Sequence, residues 1–459
     1  MRRRVLAVLC IVLLPFCGEL RAQQQASPEL VDMVIGFLTD SDTDIRAIAF
    51  DHIRTEAAGA AATRRFAAEL PGLSAEVQIG LLRALGNRGD DVAKPAVTAL
   101  LSASSDVSLR VAAIHALGKL GDATDCPALI KLLAATSGPT RRAARESLVQ
   151  LRDTEVLPAI VDALDRVEAP TRVALVEILT ARRELGAIPT LLNLATGQVA
   201  SDRAAAMASL GILAGPAHIG AMTRGVLRAA KGAERSAAEK CLMFVCNRIE
   251  DKEKRADALL RAMTTLEPSD QIVMLSTLGR VGGSAALQEV DKAIANPQGA
   301  VHAAGFAAIS NWPDASVAAR LIELARADAH ANHRRTARMA LIRISPLPDG
   351  RTDGEKLELL KTAFELTEND AERNYALKRC AAIRILATLR FVLPYVQQGP
   401  LAQQACQTVV ELAHDRKLRD DNKPEFHAAL DKVLAATTDS VVIERANRYK
   451  NGQTWARPR

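Results

Sequence analysis

Ser105–Asp122, SDVSLRVAAIHALGKLGD, is the stretch that decides the fold. Asp106 follows a polar run and is a good helix N-cap. Val111, Ile114, His115 and Gly118 then recur at the i, i+3, i+4, i+7 spacing of one helix face. Ala112, Ala113 and Ala116 keep this helix thin enough for another to pack close. Gly118 and Gly121 are read as its end, because glycine enters the left-handed region most easily. Upstream, VAKPAVTALLS (residues 92–102) reads as a second amphipathic helix. Two short helices cannot enclose a core, but the same pair repeated along the chain can, each pair covering the last.

The pair does recur. A Leu-Gly dipeptide near the end of the second helix stands at Leu85-Gly86, Leu117-Gly118, Leu210-Gly211 and Leu278-Gly279, in steps of 32, 93 and 68 residues. Those steps are one repeat of 32, three of 31 and two of 34. Pro95, Pro127, Pro158, Pro189 and Pro216 repeat the period independently, each near the start of a first helix, where the missing N–H has no intrahelical partner. Aromatic residues are only 3% of the chain while hydrophobic ones are 49%, a core of Ala, Leu, Val and Ile that suits stacked helices and not a β-sandwich. The fold class is therefore all-α, an α-solenoid or superhelix of about twelve antiparallel helix pairs.

The chain opens with a targeting segment: Arg2, Arg3 and Arg4, then an apolar run from Val5 to Phe16 too short to span a bilayer, with cleavage placed after Ala22. Removing residues 1–22 takes four Arg and one Glu, leaves 55 basic and 52 acidic residues, and lowers the net charge from +6 to +3. So small a charge gives no reason to expect a nucleic-acid partner. Cys126, Cys241, Cys246, Cys380 and Cys406 remain, an odd number, and are read as small apolar fillers between helices.

The organisation read from the sequence is a signal peptide (1–22), a flexible leader (23–28), a regular array (29–345), divergent repeats after the Ser345-Pro346-Leu347-Pro348 loop (346–415), capping helices (416–449) behind a charged loop at 416–423, and a tail (450–459). The eleventh pair carries a long second helix, Asp370–Ala387.

Proline in the first helix, an acidic residue at the turn, then Arg and an Ala/Leu-rich second helix form a recognisable pattern. Asp106-Val107 with Arg110 and Asp44-Ile45-Arg46 carry it best; Asp202-Arg203 and Glu234-Arg235 follow more loosely. Over residues 28–415 the chain resembles HEAT repeats, in the short variety of phycobilisome-lyase-type HEAT-like proteins. The resemblance implies an architecture and a surface for protein contact. It also implies a ladder of Arg46, Arg110, Arg141, Arg172, Arg203, Arg235 and Arg334 against acidic turn residues; the same row could instead be a basic strip for an acidic partner.

Catalytic signatures are absent from the sequence: no Gly-rich phosphate loop after a strand, no H-E-x-x-H, no C-x-x-C, no G-x-S-x-G. His330 and His333 come closest to a metal pair, but Arg334, Arg335 and Arg338 lie beside them and no third ligand is evident, so they read as a solvated basic turn. His52 and His115 read as packed core histidines. Tyr375, Lys378, Arg379, Arg384 and Tyr395 gather aromatic and basic groups in the C-terminal section and are the candidate partner-binding patch. The expectation is a non-catalytic, cofactor-free protein–protein interaction scaffold, periplasmic or secreted, that binds another protein along the concave solenoid face and has no membrane span once the signal is removed. The alternative is a regulatory or substrate-presenting subunit of a secreted sugar- or alcohol-processing enzyme.

Overall fold

The computed structural model describes residues 26–135 and 137–455. The signal-peptide reading falls on residues outside these. Among the described residues there are 27 α-helices and no strand, and no helix is long and apolar enough to cross a membrane. The chain divides into two compact units at Ala187/Ile188.

In the first unit the first helices are α1 (Pro28–Leu38), α3 (Ala60–Ala68), α5 (Lys94–Ala103), α7 (Cys126–Ala135) and α9 (Val156–Leu164). Their partners are α2 (Thr43–Thr55), α4 (Ala75–Arg88), α6 (Val107–Leu120), α8 (Gly138–Gln150) and α10 (Ala169–Ala181). Second helices pack on second helices in the order α2, α4, α6, α8, α10, and each hairpin closes on itself.

The second unit continues the alternation. Its pairs are α11 (Ile188–Ala195) with α12 (Ala200–Leu213), α13 (Ile219–Arg228) with α14 (Ala233–Cys246), α15 (Asp257–Met263) with α16 (Pro268–Val281), α17 (Ser284–Ile294) with α18 (Gly299–Ser310), and α19 (Ala318–Ala327) with α20 (Ala331–Ile344). Then come α21 (Asp353–Glu365) with α22 (Asp370–Cys380), α23 (Leu386–Val392) with α24 (Ala402–His414), a short α25 (Arg416–Asp421), and α26 (Lys423–Ala436) with α27 (Ser440–Lys450).

Two expectations change here. The helix expected to run from 370 to 387 stops at Cys380, and the chain turns over residues 381–383, where the Ile383 N–H donates to the Cys380 carbonyl. The stretch read as a charged loop is α25, whose N-cap Asp415 accepts from the Leu418 N–H and whose Arg419 is buried, its Nη1 donating to the Ala413 carbonyl.

The opening stretch folds as α6, with Asp106 as N-cap accepting from the Leu109 N–H at 2.8 Å. Its glycines work differently from the expectation. Gly118 lies inside the helix, and Gly121, at the C-cap, has extended φ. Gly118 is small because α8 passes close: a Cβ built on it would lie 2.7 Å from the Cα of Ser147. The other Leu-Gly pairs repeat the contact. A Cβ on Gly86 would meet the Ala116 Cα at 3.1 Å, one on Gly211 the Cys241 Cβ at 3.1 Å, and one on Gly279 the Ala308 Cα at 2.7 Å. The dipeptide is therefore a register mark: Leu fills the hairpin interior and Gly admits the backbone of the next second helix.

Candidate functional site

The fourth residue of the second helix does one job again and again. Arg110 Nη1 donates to the carbonyls of Leu101 (3.1 Å) and Ser104 (3.2 Å), at and just beyond the end of α5. Arg46 reaches Asp40 and Ser41, Arg172 reaches Leu164 and Val167, Arg203 reaches Gly197 and Gln198, and Arg334 reaches Asp328. Arg235, one place earlier in α14, holds Leu227 and Ala229. These carbonyls have no intrahelical donor, and a cation suits the negative end of the helix dipole. Gln78 and Gln271 do the same without charge, through Leu70 and Leu266. Carboxylates join at Arg46–Glu76 (3.2 Å) and Arg203–Glu234 (2.8 Å). The arginine row is thus chiefly a set of clasps between the two helices of a hairpin, and its guanidiniums turn inward instead of forming a basic strip.

In α18 the fourth residue is His302. Its Nδ1 is hydrogen-bonded to the Ile294 carbonyl at the end of α17, the same clasp. Nε2 then faces the next pair, where it lies 3.0 Å from His333 Nδ1 and 3.6 Å from Asp328 Oδ2. Asp328 Oδ1 stands 3.4 Å from both His330 Nδ1 and His333 Nδ1, and accepts from the His330 N–H at 2.8 Å. Phe306, one turn after His302, stacks on the His333 ring at 4.3 Å between centroids. Asp328 is 7% exposed, His302 17% and His333 19%, with His330 at the mouth, 65% exposed.

His330 is solvated as the sequence led one to expect, but His333 is largely covered and the neighbouring cations are engaged elsewhere. Arg334 is folded back on the Asp328 carbonyl, and Arg338 is buried against Glu372 at 2.9 Å and Glu368 at 2.8 Å. Arg335 lies 3.8 Å from Glu372. Burial would raise the Asp328 carboxyl, but the His330 N–H and the imidazoles around it outweigh that and hold it below the usual carboxylate range. Burial, opposed by Asp328 and aided by the two neighbouring imidazoles, pushes His333 below the usual histidine value. The sequence could have pointed to His302, since it breaks the Arg pattern at position four and sits one repeat before His333.

His52 and His115 are not core residues. Each is partly exposed and paired with a carboxylate, His52 with Glu56 at 2.8 Å and His115 with Glu146 at 3.1 Å. The five residues of the C-terminal patch are placed as follows. Lys378 and Arg384 are exposed, Arg384 lying 3.6 Å from Asp415. Tyr375 is half-buried, and Arg379 Nη2 donates to the Arg343 carbonyl at 3.0 Å. Tyr395 packs with Phe364 and Phe391, at 5.0 and 5.9 Å between centroids, and burial pushes its hydroxyl pKa up. The five cysteines among the described residues are free thiols, and four of them are buried.

In the first unit the second helices leave an open groove. One cleft of about 500 Å³ is lined by Phe50, Asp51, Arg54, Glu76, Arg83 and Asn87. A second, of about 330 Å³, shares Arg83 and Asn87 and continues to His115, Lys119, Glu146 and Gln150. Charges of both signs alternate along it.

Residues 63–149 match the sequence model of HEAT repeats, and residues 140–166 that of the PBS lyase HEAT-like repeat. No curated protein matches the chain. Among solved structures it is similar to the karyopherin Kap121p bound to the SUMO protease Ulp1p, at 14% identity and a TM-score of 0.50, over 92% of this chain and 52% of that one. It is also similar to Kap121p alone (13%, TM-score 0.45, 92% of this chain and 57% of that one). A third likeness is to the CpcE–CpcF phycocyanin lyase complex of Nostoc sp. PCC7120 (24%, TM-score 0.26, 55% of this chain and 100% of that one). The chain thus spans about half the length of the karyopherins it matches, and at such identity the likeness is one of fold alone. Residues 63–166 carry HEAT and HEAT-like repeats, and the described residues fold as an all-α solenoid of helix pairs.

Proposed function

We infer that this protein is a non-catalytic scaffold that holds another protein along its second helices, and that it works outside the cytoplasm after export. The observation that carries the reading is the groove over α2, α4, α6 and α8, floored by small residues such as Gly80, Gly86, Ala112 and Ala116 and rimmed by long polar side chains. Arg54, Arg83 and Lys119 alternate with Asp51, Glu76 and Glu146, a pattern that selects a peptide segment of mixed charge over a polyanion. In the second unit Ile212 and Phe244 stand exposed on the packed second helices α12 and α14, apolar anchors of the kind protein interfaces use. Support for a protein partner comes also from the karyopherin Kap121p of like fold, whose structure is bound to the SUMO protease Ulp1p.

The test is site-specific photocrosslinking of the full chain in its native compartment. A photoreactive residue at Arg83 or Asn87 should give one defined protein adduct, and the same residue at Lys131 on first helix α7 should not. Equal labelling from both faces, or none from the groove, would defeat the reading. A single enzyme captured in fixed stoichiometry would make the protein its regulatory or substrate-presenting subunit.

A further inference from the structure

We propose that His302, Asp328, His330 and His333 form a binding site for a divalent transition-metal ion of the zinc type, linking the pair α17–α18 to the pair α19–α20. The first argument is the donor set. Three imidazoles and one carboxylate converge so that one ligand atom from each lies within 4.8 Å of every other. Imidazole nitrogen with a single carboxylate is chemistry that zinc and its neighbours favour over calcium or magnesium.

The second argument is distance. Four ligands at about 2.0–2.1 Å from a tetrahedral ion lie about 3.3 Å from one another. Four contacts within the cluster, of 3.0, 3.4, 3.4 and 3.6 Å, bracket that edge, and no pair of ligand atoms exceeds 4.8 Å, so side-chain rotations can bring the set onto one ion. The third argument is the shell around the ligands. A metal-binding histidine ordinarily gives its other ring N–H to a carbonyl or carboxylate, which fixes the tautomer. His302 does this: Nδ1 is tied to the Ile294 carbonyl, leaving the Nε2 lone pair facing the cluster. Phe306 walls one side, and the neighbouring cations are turned away onto Asp328 O, Glu368 and Glu372.

The repeat gives the reasoning a control. In α2, α6, α10, α12 and α20 position four is Arg, and in α4 and α16 it is Gln, with the same clasp, so the clasp alone does not require histidine. What His302 adds is a ring nitrogen pointing at the next hairpin. His330 closes the mouth from the solvent side, which leaves an entry path and makes it the ligand most easily exchanged.

The test uses the full chain, stripped with a chelator and titrated with Zn²⁺ against a chromophoric competitor, then with Co²⁺. One equivalent of Zn²⁺ should bind, Co²⁺ should give the visible absorption of a four-coordinate nitrogen–oxygen site, and Zn²⁺ should raise the unfolding temperature. His302→Arg restores the residue other repeats carry, so it should fold and clasp α17 yet lose at least tenfold in Zn²⁺ affinity. His330→Ala should weaken binding without changing the fold, and His427→Ala, outside the cluster, should change nothing. Absence of a stoichiometric site in the unmodified chain, or affinity in H302R and H330A equal to that of the unmodified chain, overturns the proposal.

Discussion

Replacing Gly118 with Ala should destabilise the protein, against the usual rule for a helical glycine. In an open helix Gly→Ala contributes about 1 kcal/mol of stability. Gly36 in α1 is such a case: it is exposed, and a Cβ on it meets nothing within 4 Å, so G36A should stabilise by about 0.5–1 kcal/mol. At Gly118 the new methyl would lie 2.7 Å from the Cα, Cβ and Oγ of Ser147, so the helices themselves must part. Overpacking of this kind costs about 1–3 kcal/mol. Parting α6 from α8 also stretches the buried hydrogen bond from Ser147 Oγ to the Ile114 carbonyl, now 2.8 Å, worth about 1 kcal/mol more. Subtracting the helix-propensity gain leaves a net loss of about 1–3 kcal/mol. Long repeat arrays do not unfold as one cooperative unit, so the assay is amide hydrogen exchange read by peptide. Peptides from α6 and α8 in G118A should exchange about 5- to 150-fold faster than in the parent, with α1 unchanged. Slower exchange in α6 and α8, the G36A pattern, would refute the argument that backbone contact is what keeps this residue glycine.

Arg338 and Glu372 are 2% and 1% exposed and bonded at 2.9 Å; Arg338→Met alone should cost about 3–5 kcal/mol by hydrogen exchange of α20 and α22 peptides, and R338M/E372M should recover most of it. Burial would raise the Glu372 carboxyl, but Arg338, the Glu368 N–H and Asn369 hold it below the usual range. Its stabilising effect is therefore complete above the ordinary glutamate value of about 4.3 and is lost as pH falls through the lower folded value, so an acid titration should show E372Q losing less stability below about pH 4 than the parent. Arg110→Ala should destabilise α5–α6 by about 1–2 kcal/mol, and R110Q by less, since Gln78 and Gln271 make the same bond elsewhere; thermal melts of the pair of variants give the order. Burial pushes the Cys246 and Cys380 thiols up to about 12 and those of Cys126 and Cys406 to about 11, so these four should resist alkylation at neutral pH until the chain unfolds, as mass spectrometry of labelled protein would show.

The helix pairs were legible because their signal is local. Prolines at first-helix starts, Asp106 as a cap and the Leu-Gly period each depend on neighbours in sequence, and helices such as Ala200–Leu213 and Ala331–Ile344 stand where the pattern puts them. What the glycines do was not legible, because a capping glycine and a contact glycine look alike until the facing helix is known. The histidine cluster was hidden for a similar reason. His302 and His333 are 31 residues apart and meet only because one hairpin stacks on the next. The break at Cys380 has no local marker either: Ala381-Ala382-Ile383 continues a good helical sequence, yet these residues form a turn. The candidate patch was chosen on residue type, which does not reveal that Arg379 is occupied by the Arg343 carbonyl.

The clasp at position four also bears on how such a chain comes to be made. Arg110 meets carbonyls six and nine residues behind it, and Arg235 meets carbonyls six and eight behind, so each link can form as soon as one turn of the second helix exists. Ordering over so short a span costs little loop entropy and is fast. A ribosome releasing the chain from its amino end would therefore deliver hairpins already latched, one after another, each needing only to settle on its predecessor.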